Sequence, residues 1–259
     1  MINLSLWTGY FPEQFKVAKA VPIFKDSDVH EFSDYRPISL LNSISRLFES
    51  IVCFQVTGFA DACDILYKHQ YGFRANHNIN HPLLHFSENI FQALNNNKFN
   101  IFIFLDLKKA FDTVNYNILL QKLEHYGIKN TELLWFKNYL SNRQQFVHLS
   151  TVSGATNINS SKLPCHSGIP QGSCLGPLLF LFFINDLAKA TNLITLLFAD
   201  DCTFQISGSD TLSLFKQANK ELATAEQWFN CNKLTINAKK SKYIFLKNPK
   251  SHEHCNGLI

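Results

Sequence analysis

The sequence predicts an α+β fold around a mostly antiparallel sheet, and three observations predict it. Stretches with apolar residues at helical spacing alternate along the whole chain with short runs rich in β-branched and aromatic residues. Apolar residues make up 46% of the 259 positions and aromatic residues 14%, enough for a substantial core. Glycine (10) and proline (8) are scarce and no repeat or heptad is visible, so fibrous and solenoid designs drop out.

Taken in order, a strand is expected over 20–24 and a helix whose buried face carries Ile44, Leu47, Phe48, Ile51, Val52 and Phe59. A second helix runs through Leu83, Leu84, Phe86, Ile90, Phe91 and Leu94, and Asn95-Asn96-Asn97 ends it before a strand over 101–105. Val114, Ile118, Leu119, Leu123 and Tyr126 mark a helix over 112–126 with Asp112 as its N-cap. A strand over 145–149, an exposed polar loop over 154–161 and an apolar helix over 178–187 come next. Strands over 194–198 and 202–206, a helix through Leu214, Ala218, Leu222, Ala225 and Phe229, and a strand over 243–246 complete the chain. No linker divides it, although the first hundred residues read as an N-terminal subdomain.

No apolar run approaches the roughly 18 residues of a membrane span, and the start lacks a basic region followed by a cleavage site. An intracellular protein with no membrane partner is expected. Seven cysteines, odd in number and without a C-x-x-C pair, read as reduced, mostly buried thiols with no zinc site. A net charge of 24 − 20 = +4 permits nucleic acid as a partner without demanding it.

Asp106 directly follows the run Ile101-Phe102-Ile103-Phe104-Leu105, which reads as a buried central strand. An ionised carboxylate at such a strand's end is costly unless a cation meets it, although taken alone Asp106 could equally cap the strand in solvent. Asp200 and Asp201 form the chain's only Asp-Asp pair, between two β-rich runs. That pattern is a hairpin with acids at its tip, and a surface Asp turn is the alternative. If the hairpin lies beside the 101–105 strand, the acids converge on one edge of the sheet. Mg²⁺ takes oxygen ligands and keeps part of its shell for water or phosphate, so such a cluster suits two ions in phosphoryl transfer. Gly168-Ile169-Pro170-Gln171-Gly172-Ser173 is a turn-rich segment before an apolar helix, where glycines allow a backbone to approach a ligand or simply make the connection. Lys25, after a strand-like run, and Arg36 could each be solvated surface charges.

The order of these signals closely resembles the reverse transcriptase domain of non-LTR (LINE-type, jockey-like) retrotransposons. The matching blocks are Phe11-Pro12-Glu13-Gln14-Phe15-Lys16 with Val21-Pro22-Ile23-Phe24-Lys25; Tyr35-Arg36-Pro37-Ile38-Ser39-Leu40-Leu41; Gln70-Tyr71-Gly72-Phe73-Arg74; and Phe104-Leu105-Asp106 through Phe111-Asp112. Gly168 to Pro177, Phe198-Ala199-Asp200-Asp201 and Leu234-Thr235-Ile236-Asn237-Ala238-Lys239-Lys240-Ser241 follow in the same order. The resemblance implies a right-hand polymerase with fingers over 1–100 and an antiparallel palm over 101–259 packed on helices. The chain is expected to end before the primer grip and thumb, without endonuclease or RNase H domains.

The same resemblance implies a role for each matched position. Asp106, Asp200 and Asp201, with the Leu107 carbonyl, would hold two Mg²⁺ (or Mn²⁺) ions, and Lys240 would protonate pyrophosphate or else belong, with Lys239 and Lys242, to a solvated basic face. Lys25 and Arg36 would neutralise the triphosphate, Gln171 would line the nucleotide pocket, and Phe111 would exclude a ribose 2′-hydroxyl. Gly72, Phe73, Arg74 and Gly172 would contact nucleic acid. The partners implied are an RNA template, a DNA primer and dNTP, with action in the nucleus; the oligomeric state is not set by the sequence. Asn78-Ile79 replaces the family's usual Ser-Thr, and Pro82 enters a helix. A degenerate or co-opted retroelement fragment that binds nucleic acid without catalysis is the alternative, and a palm-fold RNA polymerase is a more distant one.

Overall fold

A computed structural model of the chain describes residues 1–25, 30–150 and 157–247. The expected loop over 154–161 falls partly outside the described residues, and Cys255 wholly so. In chain order the elements are α1 (Ile2–Thr8), β1 (Val17–Phe24), β2 (Tyr35–Leu40), α2 (Ser43–Ala62), α3 (Asn80–Asn95), β3 (Phe99–Leu105), α4 (Tyr116–His125) and α5 (Asn130–Leu140). They continue as β4 (Gln144–Ser150), β5 (Asn157–Asn159), β6 (Leu163–Pro164), α6 (Gly176–Ile184), β7 (Ile194–Phe198), β8 (Asp201–Gly208), α7 (Thr211–Cys231) and β9 (Lys242–Leu246). Two compact units form, each from two stretches: Met1–Ile65 with Phe111–Phe183, and Leu66–Ala110 with Ile184–Ile259.

In the first unit the strand order is β2-β1-β4-β5, with β6 also on β4. β1 pairs antiparallel with β2 and parallel with β4. Ala18 and Ala20 are buried on β1. A ring cluster fills the helical core: Phe11 meets Phe15, Phe48, Trp135 and Tyr139 at centroid separations of 5.1 to 6.3 Å, edge to face. α5, absent from the expected elements, supplies two of these rings and buries Trp135, Phe136, Tyr139 and Leu140 on one stripe. In α6 every residue from Leu178 to Ile184 is buried, as an all-round apolar helix must be.

The expected helix over 112–126 is corrected. Residues Ala110–Thr113 form a 3₁₀ turn, and α4 starts at Tyr116 with Asn115, not Asp112, as its N-cap, its side chain accepting from Ile118 N at 3.2 Å. The carbonyls of Phe111 and Val114 accept from Ile169 N (2.8 Å) and Gly168 N (2.9 Å), so they are not spent on a helix. The apolar helix also ends at Ile184 rather than 187. Among the described cysteines only Cys202 is buried; Cys63 and Cys231 are exposed at helix ends, so the expectation of mostly buried thiols fails.

The second unit carries the antiparallel sheet β7-β8-β3-β9. α3 packs on β3 and β7, and α7 on β8 and β3. α7 does so with Leu214, Phe215, Ala218, Ala225 and Phe229, a helical-period stripe. Pro82 sits at the third helical position of α3, where no intrahelical N–H bond is due, so the helix accepts it. Among the described residues no helix is long and apolar enough to cross a membrane.

Candidate active site

In the second unit the acids follow from the strands that carry them. From Phe99 to Ile103 no residue of β3 is more than 6% exposed, and β3 is paired on both sides, by β8 and β9. Its register with β8 sets Leu105 against Cys202, so one step further Asp106 comes opposite Asp201. The β7–β8 hairpin closes at Phe198↔Asp201, which leaves Ala199 and Asp200 as a two-residue turn. Ala199 there has φ 58°.

Asp106 and Asp201 line one groove of about 650 Å³ with Thr203, Lys239, Lys240 and Lys242. Asp200 is half-buried in the turn and does not line it. Although Asp201 as a residue is exposed, partial withdrawal of its carboxyl from water, then the Asp200 and Asp106 carboxylates, push it above the usual carboxylate range. Burial, then the same neighbours Asp200 and Asp201, raise the Cys202 thiol, so it stays protonated.

Like-charge conflict between oxygen donors in a groove suits a hard divalent cation. The donor set fits such an ion in kind, although among the described residues no three His, Cys, Asp or Glu side chains are grouped to hold one. Leu107 adds a backbone candidate. It bridges Ile236 between two flanking bonds, Asn237 N to Asp106 O (2.8 Å) and Lys108 N to Thr235 O (2.8 Å), neither of which uses its carbonyl.

Two residues not singled out from the sequence contact Asp106 and the turn before Asp200. Asn237 Nδ2 donates to Asp106 Oδ2 at 2.7 Å, and the Asn237 carbonyl accepts from Lys240 N (3.0 Å) and Ser241 N (2.9 Å). Gln70 is 2% exposed, and its Oε1 accepts from Gly72 N (2.9 Å) and Ala199 N (3.0 Å). Both lie in quoted motif blocks, which is the one signal that could have found them.

Of the expected nucleic-acid contacts in this unit, Gly72 is buried, and a Cβ on it would lie 2.2 Å from Ala199 N. Phe73 is 60% exposed, and Arg74 Nη1 donates to Tyr67 O at 3.2 Å.

The first unit holds the remaining residues. Lys25 and Arg36 are both exposed on the β1–β2 hairpin, where Ile23 pairs with Arg36 and Lys25 N donates to Asp34 O at 2.9 Å. Strand alternation puts the two cations on one face. Phe111 stacks on Phe180 with centroids 4.5 Å apart. Gln171 Nε2 donates to Asp112 Oδ1 at 2.9 Å, and Gln171 O accepts from Ser39 N at 2.7 Å. Gly172 has φ 110°, and a Cβ there would lie 2.8 Å from Ser39 O.

A sequence profile described as "Reverse transcriptase (RNA-dependent DNA polymerase)" matches residues 23–254. The "Probable RNA-directed DNA polymerase from transposon BS" of Drosophila melanogaster is 29% identical, over 92% of this chain and 27% of that protein. The "RNA-directed DNA polymerase from mobile element jockey" of the same species is 28% identical, over 96% of this chain and 27% of that protein. The chain thus spans about a quarter of the length of these relatives. Among solved structures, apo telomerase from Candida tropicalis, truncated from the C-terminal domain, superposes with a TM-score of 0.59 at 14% identity, over 93% of this chain and 52% of that one. That likeness shows the fold, which is that of a right-hand polymerase.

Proposed function

This chain belongs to the reverse transcriptase (RNA-dependent DNA polymerase) family, with non-LTR retrotransposon relatives, and from that membership we infer that it adds dNMP to a primer 3′-hydroxyl on an RNA template. The observation that carries this reading is the pair Asp106 and Asp201, which share one groove at the ends of the two central strands of the antiparallel sheet. In this reading that sheet is the palm, and the hairpin of Lys25 and Arg36 belongs to the fingers.

Asp106 and Asp201, with Asp200 in the adjoining turn and the Leu107 carbonyl, would hold two Mg²⁺ ions, for which Mn²⁺ would substitute. When bound, such ions lower the pKa of the primer hydroxyl and offset charge on the leaving pyrophosphate. Arg36 and Lys25 bind the triphosphate, the guanidinium bidentately. Gln171, oriented by Asp112, lines the nucleotide pocket, and Phe111, fixed by its stack on Phe180, excludes the 2′-hydroxyl of an rNTP. Lys240 lines the same groove as Asp106 and Asp201, and in this reading it gives a proton to pyrophosphate. Phe73, Arg74 and the backbone at Gly72 and Gly172 meet the template strand. A nuclear site of action belongs to the same reading.

Primer extension on an RNA template tests it. The expected result is Mg²⁺-dependent incorporation of dNTP in preference to rNTP, abolished by Asp201→Asn, with the preference reduced by Phe111→Ala. Retained RNA binding without incorporation by the parent chain would support the non-catalytic alternative instead.

A further inference from the structure

We propose that two neutral carboxamides, Asn237 and Gln70, are positioning residues that set the acids for a divalent cation. The proposal rests on the reading of Asp106 and Asp201 as cation ligands. A carboxylate at a strand end can rotate about two side-chain bonds, so it needs an outside partner to hold one oxygen. Asn237 is that partner: its Nδ2 meets Oδ2 of Asp106 at 2.7 Å, which leaves Oδ1 as the oxygen for an ion. Asn237 is itself tied down through its backbone, donating to Asp106 O and accepting from the N–H groups of Lys240 and Ser241.

The second acid depends on the turn. A left-handed φ of 58° at Ala199 is unfavourable for a residue with a Cβ, and a two-residue hairpin of this kind ordinarily takes glycine. Gln70 compensates from outside the hairpin, accepting from Ala199 N at 3.0 Å. Its own backbone bridges Leu197 on β7, with Tyr71 N donating to Leu197 O and Leu197 N to His69 O, each at 2.9 Å. Gly72 completes the clamp, because only a glycine lets this segment lie against the Ala199 backbone. Amides suit both places: aspartate or glutamate would supply similar geometry but add a further negative charge beside three acids.

Mn²⁺ binding to the 259-residue chain, read by electron paramagnetic resonance, tests the proposal alongside thermal melting. Asn237→Leu is expected to weaken Mn²⁺ about ten-fold with melting little changed, because such an outer partner orients a ligand rather than the core. Gln70→Leu is expected to weaken Mn²⁺ and also to lower the melting temperature, since two backbone N–H groups lose their acceptor. Adding Ala199→Gly to Gln70→Leu recovers only part of the melting, as glycine adopts this φ without strain but both N–H groups still lack an acceptor, and it leaves Mn²⁺ weak. Parent-like Mn²⁺ affinity in Asn237→Leu and Gln70→Leu, or its full recovery with Ala199→Gly, overturns the positioning role. Asp106→Asn and Asp201→Asn separate the two claims. If they too leave Mn²⁺ binding unchanged, the reading of the acids fails and this proposal falls with it.

Discussion

The strand edge that carries Asp106 and Asp201 and the hairpin that carries Lys25 and Arg36 are built in opposite ways. β3 is buried and paired on both sides, and its acid is further held by an amide. β2 is an outer strand of its sheet, and both cations are exposed on long side chains. Groups that must share an ion need fixed separations, whereas groups that meet a flexible polyanion can order as it binds. The acids are thus set by the fold, and the cations are left for the ligand to arrange.

The largest effect expected from this contrast is at the acids. Asp106→Asn or Asp201→Asn should lower dNTP incorporation by about 10³-fold or more, with the fold intact by circular dichroism. For Asp201, removing a carboxylate that its neighbours disfavour should leave melting unchanged or raised. A wild-type rate in either variant would break the comparison at its rigid end.

Next in size is a pair of glycine substitutions. Gly72→Ala forces a Cβ to 2.2 Å from Ala199 N and should cost about 3 kcal/mol or more in urea unfolding. Gly172→Ala meets Ser39 O at 2.8 Å with φ 110° and should cost about 2 kcal/mol. A smaller loss at Gly72 than at Gly172 would mean that the acidic turn is not the more tightly clamped place.

At the hairpin, Arg36→Lys should raise the dNTP KM about ten-fold with kcat nearly unchanged, because an ammonium cannot bind phosphate bidentately. Its melting temperature should match the parent's, as an exposed position demands. A large fall in melting temperature would show the hairpin to be as rigid as the strand edge.

A pH dependence is expected on the segment that clamps the turn. Burial, then His85 with its ring 4.4 Å away, and then Lys68 lower His69 from 6.5 to about 4. The unfolded chain takes up this proton first, so the stability involved is full above about 6.5 and is lost as pH falls toward about 4. Thermal unfolding across that window should slope downward with acid, and His69→Phe should flatten the slope.

Much of this was legible because near-continuous apolar runs such as 101–105 can only be buried strands, and an acid next to one stands out. α5 was legible only in part: Trp135, Phe136, Tyr139 and Leu140 fall at helical spacing, but the ring cluster that orders them draws on Phe11, more than a hundred positions away. The break at 112–115 was hidden for a like reason, since its carbonyls bond Gly168 and Ile169. Asn237 and Gln70 carry no charge, so nothing in composition or periodicity marks them, and only their partners in space do. The shared face of Lys25 and Arg36 needs the strand register, and their expected role came from family resemblance.

Paramagnetic broadening of carboxyl carbon signals by Mn²⁺ in the ¹³C-labelled chain probes the central claim most directly. The Asp106, Asp200 and Asp201 signals should broaden first and return when the ion is chelated. Broadening that spares these three, or that falls on unrelated carboxylates such as Glu49 and Asp112 at the same concentration, would contradict it.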